Sequence, residues 1–152
     1  MRYEGIVPPT AVTKVEWIVV QYEIDGERFS YLEEFYDEVS RVVLMPGVRW
    51  GHNLDAFNDV LRGGFGTPED GFVIRRKNHD VSRERLGYPE TIRQLESQLE
   101  TCHPSWRAKL ATDLSEARAE HGRTVFDWLV EIIQSHGAGG GEAQDRVTLI
   151  LD

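Results

Sequence analysis

Apolar positions along this chain change period several times, and each change marks an element. From Val15 to Ile24 β-branched and aromatic residues predominate until Asp25-Gly26 supplies a turn, which predicts a first strand. Leu32, Phe35, Tyr36 and Val39 then recur at helical spacing as far as Met45-Pro46-Gly47, and Ser30 with Glu33 three positions on has the form of a capping box. A second helix is predicted after Asn53, with Leu54, Phe57, Val60 and Leu61 on one side and Gly63-Gly64 as its stop. Phe72-Val73-Ile74 reads as a short second strand leading into the basic segment Arg75-Arg76-Lys77.

Further on, Ile92, Leu95 and Leu99, followed by Trp106, Leu110 and Leu114, predict two charged helices broken near His103-Pro104. Thr124 opens another helix, mostly buried, with Val125, Phe126, Trp128, Leu129, Ile132 and Ile133 apolar and Gly137 as its stop. Gly139 to Gly141 predicts a flexible connection. Val147 to Leu151 closes the chain as a near-continuous apolar strand of the kind buried inside a sheet. Strands separated by helices predict an α/β layer with parallel pairing. Residues 1–14, with Pro8-Pro9 and little periodicity, predict an irregular arm ahead of one domain over 15–152.

Composition narrows the function. The 152 residues, 40% of them hydrophobic, suffice for a single core. Seventeen Lys and Arg face 26 Asp and Glu, and the net charge of -9 disfavours nucleic acid and anionic membrane while favouring a basic partner. A lone cysteine, Cys102, excludes an intramolecular disulfide and a multi-cysteine zinc site. With no long apolar run behind a basic start, and VEWIVVQYEI too short to span a bilayer, the expected location is cytoplasmic.

Candidate chemistry is sparse. Asp55 and Asp59 stand at i and i+4, so on a helix both carboxylates project from one face, opposite the apolar stripe. Such a like-charge pair is mildly destabilising, and an acidic helix face is commonly only solvated; Arg62, three residues on, is placed to neutralise part of it. Two carboxyls in the same solvated setting would titrate alike, which argues against general acid–base work. No calcium-loop pattern, HExxH, GxSxG or phosphate-binding glycine motif is present, so no catalytic residue, metal or cofactor is expected. The five histidines are scattered among loops and helix ends, and most are expected at the surface.

At Trp50-Gly51-His52-Asn53-Leu54-Asp55-Ala56-Phe57-Asn58-Asp59 the chain resembles the barstar family of intracellular inhibitors of secreted ribonucleases, whose helix carries an aromatic-Gly-x-Asn-Leu-Asp-Ala pattern. Ile24-Asp25-Gly26-Glu27, Pro46 and the closing Val147 to Leu151 follow in the family's order. The resemblance implies a three-stranded parallel sheet packed by helices, no enzymatic activity, and a second helix and preceding loop that plug a nuclease active site. It implies that Asp59 enters the phosphate pocket, that Asp55 pairs with an arginine of the enzyme, and that Gly51, Asn53, Leu54, Asn58 and Gly63 lie at contact positions, with Glu131 as the match to a contributing glutamate on the last helix. Trp50 and Arg62 complete the expected partner-binding set, and the partner is a basic ribonuclease or related nuclease toxin. Three positions depart from the family pattern: Arg49 and Asn58 stand where aromatics are found, and Arg62 replaces a small polar residue. The stretch 79–123 is longer than the family's connection and reads as a charged helical insertion. The competing reading makes that insertion the working surface of a non-inhibitory adaptor, and a metal-dependent hydrolase using Asp55, Asp59 and His52 is the third.

Overall fold

The computed structural model describes residues 19–152, so the expected arm over 1–14 and the first part of the predicted strand lie outside the described residues. Three strands, β1 (Gln21–Asp25), β2 (Phe72–Lys77) and β3 (Val147–Leu151), form one parallel sheet in the order β1-β2-β3. Among the described residues six α-helices run between and around the strands: α1 (Leu32–Val42), α2 (Leu54–Arg62), α3 (His79–Arg85), α4 (Tyr88–Thr101), α5 (Arg107–Arg118) and α6 (Val125–Ser135). This is the α/β architecture expected from alternating periods, with Ile24 and Ile74 of the sheet packed against Phe35, Phe57, Phe126 and Leu129 of three helices.

Two expectations about the sheet are corrected. β3 is an edge strand, with Leu149 and Ile150 half-buried and Thr148 and Leu151 exposed beyond buried Val147, whereas β2 occupies the centre. Second, the basic segment belongs to β2, which alternates buried Phe72, Ile74 and Arg76 with more open Val73, Arg75 and Lys77. Period-2 alternation tolerates charge on the open face, but Arg76 lies on the covered one at 0% exposure. Its guanidinium stands 5.3 Å from the ring centroids of both Phe35 and Phe126, and its Nη2 donates to Ser82 Oγ at 2.8 Å. Burial pushes Arg76 down to about 10. The aromatic faces offset only part of this cost, since Nε and Nη1 are buried without a hydrogen-bond partner.

The 79–123 stretch is built into the domain. α4 and α5 break at Cys102 to Pro104, as predicted, and form a small second cluster around Leu95, Leu114 and Ala117. Leu86, after α3, belongs to the main core. The expected Ser30/Glu33 capping box is absent: the Ser30 N–H donates to Glu34, and the Leu32 N–H at the start of α1 donates to Glu90 Oε2 of α4 at 2.8 Å. The helix starts with Tyr31 at the N-cap, one residue later than the box requires, and the buried Glu90 carboxylate, itself held by Arg93 and Gln94, satisfies the orphan amide of its first turn. Thr91 Oγ likewise accepts the N–H of Val125 at the start of α6, where Thr124 and Asp127 form a complete capping box.

The end of α6 also departs from expectation. His136 is 0% exposed rather than at the surface. Gly137 to Gly141 folds back as a tight turn: the Gly140 N–H donates to Gly137 O, and the Glu142 N–H donates to Ser135 O at 2.8 Å. A Cβ at Gly140 would stand 2.4 Å from Ser135 O, so this close return requires glycine.

Candidate functional site

The candidate helix α2 is assembled as its sequence prescribes. Asn53 Oδ1 accepts the Ala56 N–H at 2.8 Å and caps the first turn, and Gly63, at φ 107°, ends it. Phe57, Val60 and Leu61 are buried below, each at most 1% exposed. Asp55, Asp59 and Arg62 are therefore turned outward and exposed, on a helix held rigidly from beneath.

The approach loop is anchored as well. Trp50 Nε1 donates to Ser40 Oγ at 2.7 Å, and its ring meets Tyr36 edge-on at 5.5 Å between centroids. His52 stacks obliquely on Trp50 at 4.7 Å and contacts the same Ser40 hydroxyl. Trp50 and Leu54 are thus half-buried supports, whereas Arg49, Gly51 and Asn53 are exposed.

The two aspartates differ in their surroundings. Among the described residues Asp55 has no ion-pair partner, and it lines a cleft of about 400 Å³ between α1, α2 and α4, with Glu33, Tyr36, Asn53, Gln94 and Gln98 on its walls. Asp59, 57% exposed, accepts a 2.7 Å hydrogen bond from Arg62 Nη1. The other side of the Arg62 fork is bidentate on Glu142: Nε to Oε1 at 2.5 Å and Nη2 to Oε2 at 2.9 Å. These bonds, those to Glu142 foremost, raise the Arg62 guanidinium above its usual range, and Arg62 in turn holds the Glu142 carboxyl below its own.

Behind this pair lies a polar cluster that the pattern of residues did not foretell. His136 sits between Asp145 Oδ2, 2.6 Å from Nδ1, and Asn58 Oδ1, 2.5 Å from Nε2. Asn58, half-buried, therefore turns its amide inward. Ligating atoms of His136, Glu142 and Asp145 lie within 4.8 Å of one another, a spacing a metal could use. Both ring nitrogens are already hydrogen-bonded, however, and both Glu142 oxygens are held by a guanidinium, so a cation is already in place. The lone sequence hint was a histidine next to the glycine turn, with Glu142 and Asp145 just beyond it.

Glu131 is on the exposed side of α6, ion-paired with Arg123. It lines a different cleft, of about 540 Å³, with Gln134, the Gly137 to Gly141 turn and Thr148 of β3, and neither aspartate of α2 shares that cleft. Gly63 is half-buried at the end of α2.

A search of curated proteins returns no match. A family model described as Barstar (barnase inhibitor) matches residues 19–118, which include β1, α1, the approach loop and α2 with Asp55 and Asp59, run on through the helices after β2, and leave Glu131 outside. With its three-stranded parallel sheet and well over half of its length matched, the chain belongs to the barstar family.

Proposed function

We propose that this chain is a proteinaceous inhibitor that blocks the active site of a small basic ribonuclease, or a related nuclease toxin, with α2 and the loop before it, acting as an immunity protein in the cytoplasm. The observation that carries the reading is the outward, rigidly backed pair Asp55 and Asp59 within the family-matched segment. A nuclease cleft is lined by cations because it must hold phosphates. A fixed carboxylate meets those cations as the substrate's anion would, yet presents no bond to cleave. Asp59 is the anchor in the phosphate pocket and Asp55 the neighbouring contact for an arginine. The net charge of -9 accelerates encounter with a basic partner, most strongly at low salt. The chain has no catalytic role of its own in this scheme.

Deleting 79–123 would not isolate an adaptor surface, because it would remove buried Ser82, Leu86, Glu90 and Thr91 together with the group that caps α1. The inhibitor reading is tested by titrating the protein into a panel of small basic secreted ribonucleases and following RNA cleavage. Stoichiometric inhibition of at least one enzyme, lost in Asp59→Ala, is expected. Undiminished cleavage across the panel, or equal inhibition by Asp59→Ala, overturns the reading.

A further inference from the structure

Arg62 poses a problem for an acidic plug. It stands on the exposed face of α2, three residues beyond Asp59, and brings a positive charge to the surface that is to meet a cationic cleft. Left alone it would do harm twice, by neutralising Asp59 from within the chain and by repelling the partner. The structure answers with Glu142, eighty positions away, which takes two of the guanidinium's donors and leaves only Nη1 for Asp59. The three side chains together carry a net single negative charge.

The placement of Glu142 is built, not incidental. Its backbone N–H is tied to Ser135 O by the return of the glycine turn, and Gly140 fits only as glycine against that same carbonyl. Its carboxylate faces the buried imidazole, with Oε2 standing 3.9 Å from His136 Nε2 and the Asn58 side chain beside it. Asn58 is held in turn by the fully buried His136, whose other nitrogen is fixed by Asp145. Side chains from α2, the end of α6 and the following turn thus converge to present one carboxylate to one guanidinium.

We propose that Glu142 is a positioning residue for inhibition: it keeps hold of Arg62 when the partner's cations take over Asp59, so that the anchor is transferred to the nuclease instead of being shared with an internal arginine. The proposal rests on the inhibitor reading. It also specifies the partner, whose pocket must present enough positive charge to displace the single Nη1 bond. Arg62 and Glu142 together then act as a threshold that weakly basic surfaces do not cross.

The test uses the full chain and the ribonuclease most strongly inhibited in the panel, with inhibition constants for four variants and a thermal melt of each. Glu142→Gln, which keeps the shape and loses the charge, is expected to inhibit roughly tenfold less tightly or worse. Arg62→Ala is expected to inhibit several-fold more tightly than the wild type, and Arg62→Ala/Glu142→Gln to return to the level of Arg62→Ala. Recovery in the double variant is the readout that a merely structural role cannot produce, since damage to the turn would persist when Arg62 is removed. Wild-type inhibition by Glu142→Gln, or a double variant as weak as Glu142→Gln, overturns the proposal. Asp59→Ala separates the two levels: if it abolishes inhibition while Glu142→Gln does not weaken it, only the role of Glu142 falls, and if it inhibits as the wild type does, the inhibitor reading falls with it.

Discussion

The two ends of α2 carry the same acidic residue on the same face and are held by opposite means. At the N-terminal end the support is local: Asn53 caps the helix three residues away, and Asp55 faces an open cleft without an ionic partner among the described residues. At the C-terminal end it comes from far along the chain, with Asp59 tied to Arg62, Arg62 to Glu142, and Asn58 to the buried His136. One helix thus offers a free carboxylate for capture and a pre-oriented one for exchange. Preorganisation lowers the ordering cost of binding, but an internal ion pair must be given up to use it.

The sharpest way to break this comparison is at His136. Replacing it with alanine leaves Asp145 and Asn58 without their partner in a buried site, and a loss of roughly 3 kcal/mol is expected in urea unfolding. His52→Ala at the exposed opposite end should stay within about 0.5 kcal/mol. For binding, Asp59→Ala is expected to cost at least ~2 kcal/mol in titration calorimetry, a scale set by charged hot spots in the barnase–barstar pair rather than derived from this chain, and Asp55→Ala is expected to cost less. A larger loss at Asp55 would reverse the assignment of the anchor.

Smaller effects sharpen the same contrast. Asn53→Ala removes only a local cap and should lower stability by about 1 kcal/mol, leaving the Arg62 cluster intact by NMR. Acid should loosen the C-terminal end through its ion pair, which has no counterpart among the described partners of Asp55 at the other end. Arg62 holds the Glu142 carboxyl below its ordinary range, so that bond contributes its full stability above the usual carboxylate range and loses it as pH falls through the depressed value. Glu142→Gln should therefore flatten part of the decline in Tm between neutral and acidic pH.

Much of α2 is legible from residues alone, because its apolar stripe, Asn53 cap and Gly63 stop are all decided within one or two turns. The break between α4 and α5 is equally local, set by Pro104. The start of α1 is not, since Ser30 and Glu33 had the form of a cap, whereas the helix begins after Tyr31 and its first amide, on Leu32, is satisfied by Glu90 from 58 positions away. The buried Arg76 escaped for a related reason: a basic run reads as the end of a strand until two aromatic rings from different helices are known to flank it.

Near-neighbour chemistry alone therefore determined most of the helices and strands, though neither α3 nor the full length of β2, together with which side of α2 is acidic and the family the chain resembles, because periodicity and capping act over a few residues. The tertiary structure decided that β2 and not β3 is central, that the 79–123 helices seal the domain, and that Asp59 is held through Arg62 by Glu142. Those outcomes depend on which distant groups compete for the same amide or guanidinium, and that competition is resolved only when the chain is packed.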